Sequence, residues 1–388
     1  MSGVSERTSE VASEQADLLL RRIQKNLGEG VGVSGPGRAS RAKVPFRSAD
    51  GGNFRMEVRS PGIFESVTFR QCPRVAPGPG EVQIEVYAAS VNFRDVMIAL
   101  GNYPFVGDPP ALGVDCAGKV VAVGEGVEDF KIGDEVFGMS RALYGSFTAF
   151  TNTYSMCLMR KPAEWSFEQA AALPGVFVTV YYALHLVAGL RRGERILIHC
   201  ASGGVGLSAI QVAQWLGAEI FATAGTPEKR AFVRGLGIEH VMDSRSLAFV
   251  DEIRQLTDHR GVDVILNSLT GEAINRGLEI LRPLGRFVEI GKRDIMEDRQ
   301  VGLRAFVHGL MLVSIDLSFV SPSGRPDLAQ RLFSELGDHF ARGVFQPLPI
   351  RTFGISDAPA AFKSISASSH IGKIVLSLKD QQILVEAD

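Results

Sequence analysis

The chain has 388 residues, enough for two domains. It is 45% hydrophobic and 22% charged with a net charge of −2, so it buries a core and carries no overall field that would draw nucleic acid or an anionic membrane. Its cysteines, at 72, 116, 157 and 200, form no CxxC pair and read as free thiols of a reducing cytosol; a polar, acidic start predicts no signal peptide.

Residues 1–53 read as a tail and linker. "SEQADLLLRRIQKNL" predicts one short amphipathic helix with Leu18, Leu19, Ile23 and Leu27 near one face. The Gly-, Ser- and Arg-rich "GEGVGVSGPGRASRAK" that follows suits a domain embedded in a longer polypeptide. Residues 54–169 turn to short alternating strands such as "VTFRQ" and "EVQIEVYAASV", with glycines at the bends, and predict a small β-rich, barrel-like domain. The longest apolar stretch, Pro174 to Leu190, opens with Pro-Gly and carries His185, and so reads as a buried helix rather than a membrane span.

From 170 to 318 strands and helices alternate: "RILIHCA", "VGLSAIQVAQWLG", "EIFATAG", "EKRAFVRGLG", "VDVILNS", "EAINRGLEILRPLG", "RFVEIG". These strands are continuous apolar runs, as a parallel sheet covered on both faces requires, so the fold class is α/β with a Rossmann-type doubly wound sheet. After Pro326 a helix is predicted, with Leu328, Leu332, Phe333, Leu336 and Phe340 at helical spacing; "PLPIRTF" and "KIVLSL" are strands expected to carry 319–379 back to the first domain, leaving 380–388 as a tail.

"GVGLSA", Gly204 to Ala209, fits G-x-G-x-x-A directly after an apolar strand and at the start of a helix. Gly204 is expected to permit the tight turn, Gly206 to let the backbone approach a pyrophosphate, and Ala209 to keep helix and strand close; Gly203 and Val205 complete the loop. The helix N-terminus offers unpaired N–H groups to phosphates. The second strand ends in Ala224-Gly225-Thr226 with no carboxylate, and Lys229 and Arg230 follow. Small and basic residues there suit a 2′-phosphate, which favours NADPH over NADH.

Together these segments resemble the medium-chain dehydrogenase/reductase superfamily over about 56–378. Within it, "SVNFRDVMIALG", "ASGGVGLSAIQVAQWLGAEIFATAG", "LNSLTGE", "FVEIGKRDI" and "HIGKIVLS" are similar to the enoyl reductase domains of polyketide synthases. The resemblance implies a GroES-like substrate domain beside the Rossmann domain. Where the superfamily's zinc enzymes carry Gly-His-Glu this chain has Gly113-Val114-Asp115, so no metal is expected and Asp115 and Cys116 read as structural.

The resemblance further implies NADPH-dependent reduction of an α,β-unsaturated thioester on an acyl carrier protein: hydride to the β-carbon, charge on the thioester oxygen, a proton to the α-carbon. Lys292, in "GKRD", and Asp316, in "SIDLS", match the family's pair near the α-carbon; Lys292 is the expected donor and Asp316 its orienting partner, with donation by an Asp316 whose pKa burial raises left open. Phe93, expected on the substrate side, stands where some members have a tyrosine tied to proton delivery, so that route is excluded here. Asn92, Thr179, Asn267 and Gly291 are expected to contact the cofactor. Expected partners are acyl carrier protein and other synthase domains, with a homodimer allowed and a cytoplasmic location. Two other readings stand open: a free-standing quinone or enone reductase, and an inactive NADPH-binding scaffold.

Overall fold

A computed structural model describes residues 43–46, 52–103, 110–140, 145–379 and 382–386. The helix expected around Leu18–Leu27 and most of the linker lie outside these residues.

The six strands Arg195–Ile198 (β9), Glu219–Ala224 (β10), His240–Asp243 (β11), Val262–Asn267 (β12), Leu281–Glu289 (β13) and Met311–Ser314 (β14) form one sheet in the order β11-β10-β9-β12-β13-β14. Every pairing in it is parallel. This is the doubly wound Rossmann order, and it reverses between β9 and β12, the point where such sheets bind ligands beyond the strands' carboxyl ends. All six residues of β12 are buried, which is why the strand reads as an unbroken apolar run.

A mixed sheet fills the other half. It is built from Glu81–Val91 (β4), Asp115–Val123 (β5), Glu135–Met139 (β6), Phe150–Tyr154 (β7), Leu158–Arg160 (β8), Ile350–Gly354 (β15) and Lys373–Ser377 (β16). The order is β15-β16-β4-β5-β6-β8, with β7 on β4. β16 pairs antiparallel with β4, Ile374 opposite Val91, so the C-terminal segment returns to the first half of the chain.

Two stretches differ from the expected tails. Lys43–Pro45 (β1) pairs with Leu384–Glu386 (β17), and β17 lies beside Val67–Pro73 (β3), which pairs with Gly52–Val58 (β2). Buried Glu386 accepts from Thr68 Oγ1 and forms an ion pair with Arg59. Both ends of the described chain are therefore held in a four-stranded sheet.

The apolar stretch from Pro174 runs as the helix Pro174–Val180 and continues as a π-helical segment, Tyr181–Val187. By length and composition the helical stretch Phe167–Val187 could cross a membrane, but two-thirds of its apolar window is packed inside the protein. The helix Pro326–Ala341 buries Leu332, Phe333, Leu336 and Phe340. Phe340 stacks edge-on against Phe137, Trp165 and Phe177, tying the β-rich half to the nucleotide-type half through one shared core.

Candidate active site

The glycine loop leaves β9 and opens the helix Gly204–Leu216. The tight turn is made at Cys200, which has φ 53°, rather than at Gly204. The glycines serve close packing instead. A Cβ on Gly206 would lie 2.4 Å from Ala201 Cα, and one on Gly204 would lie 2.5 Å from Lys373 Cδ. The helix starts hard against the chain that leaves the strand, and its first-turn amides have no intrahelical acceptor. A Cβ on Gly203 would meet only Cys200 O, at 3.5 Å, so the front of the loop, through Val205, stays open. These residues fit a dinucleotide's pyrophosphate on steric and dipolar grounds.

At the end of β10, Ala224 is buried and Gly225 and Thr226 turn into the helix Pro227–Gly235, where the Thr226 hydroxyl accepts from the Lys229 N–H. The Lys229 ammonium donates to Ser368 O at 2.6 Å. Its pKa is lowered, chiefly by burial and further by Arg245. Arg230 is engaged within the protein, donating to Ala224 O and lying 3.4 Å from Asp243. Sequence reasoning missed Arg245: its guanidinium lies where a Cβ on Gly225 would come within 3.2 Å of Nε. The signal was a second basic residue after the third strand, in "MDSRS". No carboxylate terminates β10, and exposed Arg245 stands beside it.

Asn92 caps the helix Phe93–Ala99 in a reciprocal box with Asp95. Its amide is also engaged inward, Oδ1 accepting from Lys373 Nζ at 2.6 Å and Nδ2 donating to Asp115 at 2.9 Å. Asp115, fully buried, accepts in addition from Ser90 Oγ and from the Gly175 amide. Lys373, 5% exposed, is the charge that faces it at 3.8 Å; burial lowers this lysine's pKa and Asp115 works to raise it. Among the described residues no group of three or more His, Cys, Asp or Glu side chains is placed to hold a metal ion. Thr179 donates to Gly175 O one turn back.

Lys292 follows β13 and Asp316 follows β14, both at the carboxyl edge of the parallel sheet. Lys292 Nζ lies 3.0 Å from Asp316 Oδ2 and donates to Ile315 O at 2.9 Å. Burial works to raise the Asp316 pKa, but hydrogen bonds from Ser318 and Lys292 outweigh it and hold the carboxyl below its usual value. Asp316 is therefore an ionised acceptor that fixes the ammonium. The pair lines a cleft of about 700 Å³ together with Tyr103, Tyr182, Phe319 and Arg325. Phe93, 63% exposed, does not line this cleft.

Asn267 ends β12 and is fully buried. Its amide donates to Leu269 O and to Glu289 and accepts from Leu269 N–H, so its polar atoms are used within the protein. Gly291, two residues past the end of β13, donates its N–H to Glu289.

The fold agrees with the chain's relatives. The alcohol dehydrogenase GroES-like domain family matches residues 78–185 and the zinc-binding dehydrogenase family residues 204–330. The phthioceranic/hydroxyphthioceranic acid synthase of Mycobacterium tuberculosis is 44% identical over 327 residues, 84% of this chain and 15% of that protein. The crystal structure of CurK enoyl reductase is 37% identical, with a TM-score of 0.75, covering 84% of this chain and 99% of that one. The chain belongs to the polyketide-synthase enoyl reductases of the medium-chain dehydrogenase/reductase superfamily. The highly reducing polyketide synthase cm3B of Cordyceps militaris is 40% identical over 338 residues, covering 86% of this chain and 13% of that protein. The chain thus spans about a seventh of the length of the curated synthases it matches. The Escherichia coli quinone oxidoreductase complexed with NADPH is similar at 28% identity, with a TM-score of 0.73, covering 84% of this chain and all of that one. As an oxidoreductase of this superfamily, the enoyl reductase uses a nicotinamide cofactor.

Proposed function

We propose that this enoyl reductase uses NADPH to reduce the α,β double bond of an enoyl thioester carried on acyl carrier protein. The observation that carries the reading is the Lys292–Asp316 pair, 3.0 Å apart, in a cleft at the carboxyl edge of the parallel sheet. NADPH, when bound, supplies the hydride for the β-carbon. Lys292 offers an ammonium proton to the α-carbon and offsets the negative charge that builds on the thioester oxygen. Asp316, ionised, cannot donate; it and Ile315 O hold the Lys292 ammonium in one place. Phe93 has no proton to give.

Gly203, Gly204, Val205 and Gly206 are proposed to seat the pyrophosphate at the helix N-terminus. Ala224, Gly225, Thr226 and Lys229, with Arg245 added and Arg230 behind them, are proposed to accept the 2′-phosphoadenosine end. Asn92, Thr179, Asn267 and Gly291 shape the nicotinamide side, chiefly through backbone and packing, since the side-chain polar groups of Asn92, Thr179 and Asn267 and the Gly291 N–H are engaged internally. The proposed domain plan is a GroES-like domain at 54–169 completed by 319–379, with the nucleotide domain at 170–318. Other synthase domains are the proposed neighbours, a cytoplasmic location is proposed, and a second copy paired through the nucleotide domain is the proposed dimer.

The discriminating experiment is NADPH oxidation with a crotonyl thioester and, separately, with a quinone. Turnover of the thioester supports this reading. Turnover of the quinone alone replaces it with the quinone reductase reading, and tight NADPH binding without turnover of either replaces it with the scaffold reading.

A further inference from the structure

Glu289, the last residue of β13, has no part in the mechanism above, yet it lies at the centre of the cofactor edge. It is 5% exposed. Oε2 accepts from the Asn267 amide at the end of β12, and Oε1 accepts from the Gly291 N–H, each at 2.5 Å. A Cβ on Gly291 would lie 2.7 Å from Oε1, so the glycine leaves room for the carboxyl. The Glu289 backbone carbonyl accepts from Ile315 N–H, whose own carbonyl receives the Lys292 ammonium. One side chain thus joins the strand end beside the glycine loop to the turn that carries Lys292.

We propose that Glu289 is a positioning residue whose carboxylate clamps Asn267 and the Gly291–Lys292 turn in the binding-competent arrangement, and whose protonation releases that clamp. This inference rests on the nucleotide site proposed above. The chemistry is a matter of donors and acceptors. Both neighbours are N–H donors, so the ionised carboxyl holds both with charge-assisted bonds; protonation makes one oxygen a weaker acceptor that also carries a donor. Burial raises the Glu289 pKa to about 7, with the Asn267 and Gly291 hydrogen bonds and the Lys292 charge opposing it and the Asp294 charge reinforcing it. The charged groups facing it are Lys292, paired with Asp316, and Asp294, which is bonded to Arg299 and to the Gly271 N–H. Glu289 therefore changes charge near neutral pH.

The sign follows. Above pH 7 the clamp is closed and the dinucleotide binds well; below it the clamp opens. The test is the NADPH dissociation constant, read by cofactor fluorescence between pH 5.5 and 8.5, in wild type, Glu289→Gln and Glu289→Asp. The difference between profiles cancels the ligand's own phosphate titration. Wild type is expected to bind about tenfold more tightly at high pH than Glu289→Gln, the scale of one lost hydrogen bond, and to converge with it at low pH. Glu289→Asp keeps the charge and is expected to keep a pH step with a shifted midpoint. Identical profiles for wild type and Glu289→Gln would overturn the proposal. If Glu289→Gln does not fold, an Asp variant whose midpoint equals that of wild type overturns it instead. Crotonyl-thioester turnover is measured in the same series: its absence from wild type, beside an intact binding step, rejects the substrate reading and leaves Glu289 supported.

Discussion

Lys292 sits on a short turn after a strand, where an isolated lysine would be unremarkable. Two acceptors make it specific: Asp316 at 3.0 Å and Ile315 O at 2.9 Å. Lys292→Ala is expected to lower kcat on a crotonyl thioester by about 10²-fold, the scale of a lost general acid, with NADPH affinity little changed. Asp316→Asn keeps the shape but removes the charge that orients the ammonium, and a smaller loss of kcat is expected in the same assay. Gly206 makes a different kind of prediction. Gly206→Ala places a methyl 2.4 Å from Ala201 backbone, which cannot give way as a flexible side-chain tip would. A loss of about 1–3 kcal/mol of stability is expected by denaturant titration, accompanied by weaker NADPH binding. The residue types at these positions were legible in the sequence, but the glycine roles were not, because the neighbour of Gly204 is Lys373, far away along the chain.

The elements around the proposed cofactor edge divide by how far their meaning is local. The strand–glycine–helix unit was readable because its signal is contiguous: an apolar run, three glycines, then a helix whose Ser208, Gln211 and Gln214 interrupt an apolar face. Ser208 is buried and bonds back to Gly204 O, and Gln211 exchanges two hydrogen bonds with Gln346. The proposed adenosine end was readable only in part. Lys229 and Arg230 follow the strand directly, whereas Arg245 arrives from the turn after β11 and meets Gly225 only through sheet pairing. Arg245→Ala is expected to raise the NADPH dissociation constant by about tenfold and leave that of NADH nearly unchanged, the scale of a charge-assisted bond to a phosphate. Equal losses for both cofactors would remove Arg245 from 2′-phosphate recognition. Glu289 escaped notice for a related reason: a glutamate at a strand end reads as solvated until the neighbouring strand end covers it.

Across the whole molecule, the α/β class, the parallel sheet and the return of the C-terminus to the first half follow from periodicity and run length. The pairing of β1 with β17 did not, since three-residue strands carry no period to read. Nor did the buried hub where β4, β5, β16, the helix from Pro174 and the glycine loop converge on Lys373, Asp115 and Asn92. Lys373→Met fills the same space but leaves Asp115 without its facing charge, and a loss of about 3–5 kcal/mol in global stability by urea titration is expected. The hub seats the β-rich half against the glycine loop, while the parallel sheet itself carries that loop and Lys292 on one carboxyl edge. The central claim is that this arrangement reduces enoyl thioesters with NADPH. The direct measurement is single-enzyme NADPH oxidation with crotonyl-pantetheine thioester, set against a quinone at equal concentration. Stoichiometric formation of the saturated thioester, slowed about 10²-fold by Lys292→Ala, is the predicted result; oxidation of NADPH by the quinone alone contradicts it.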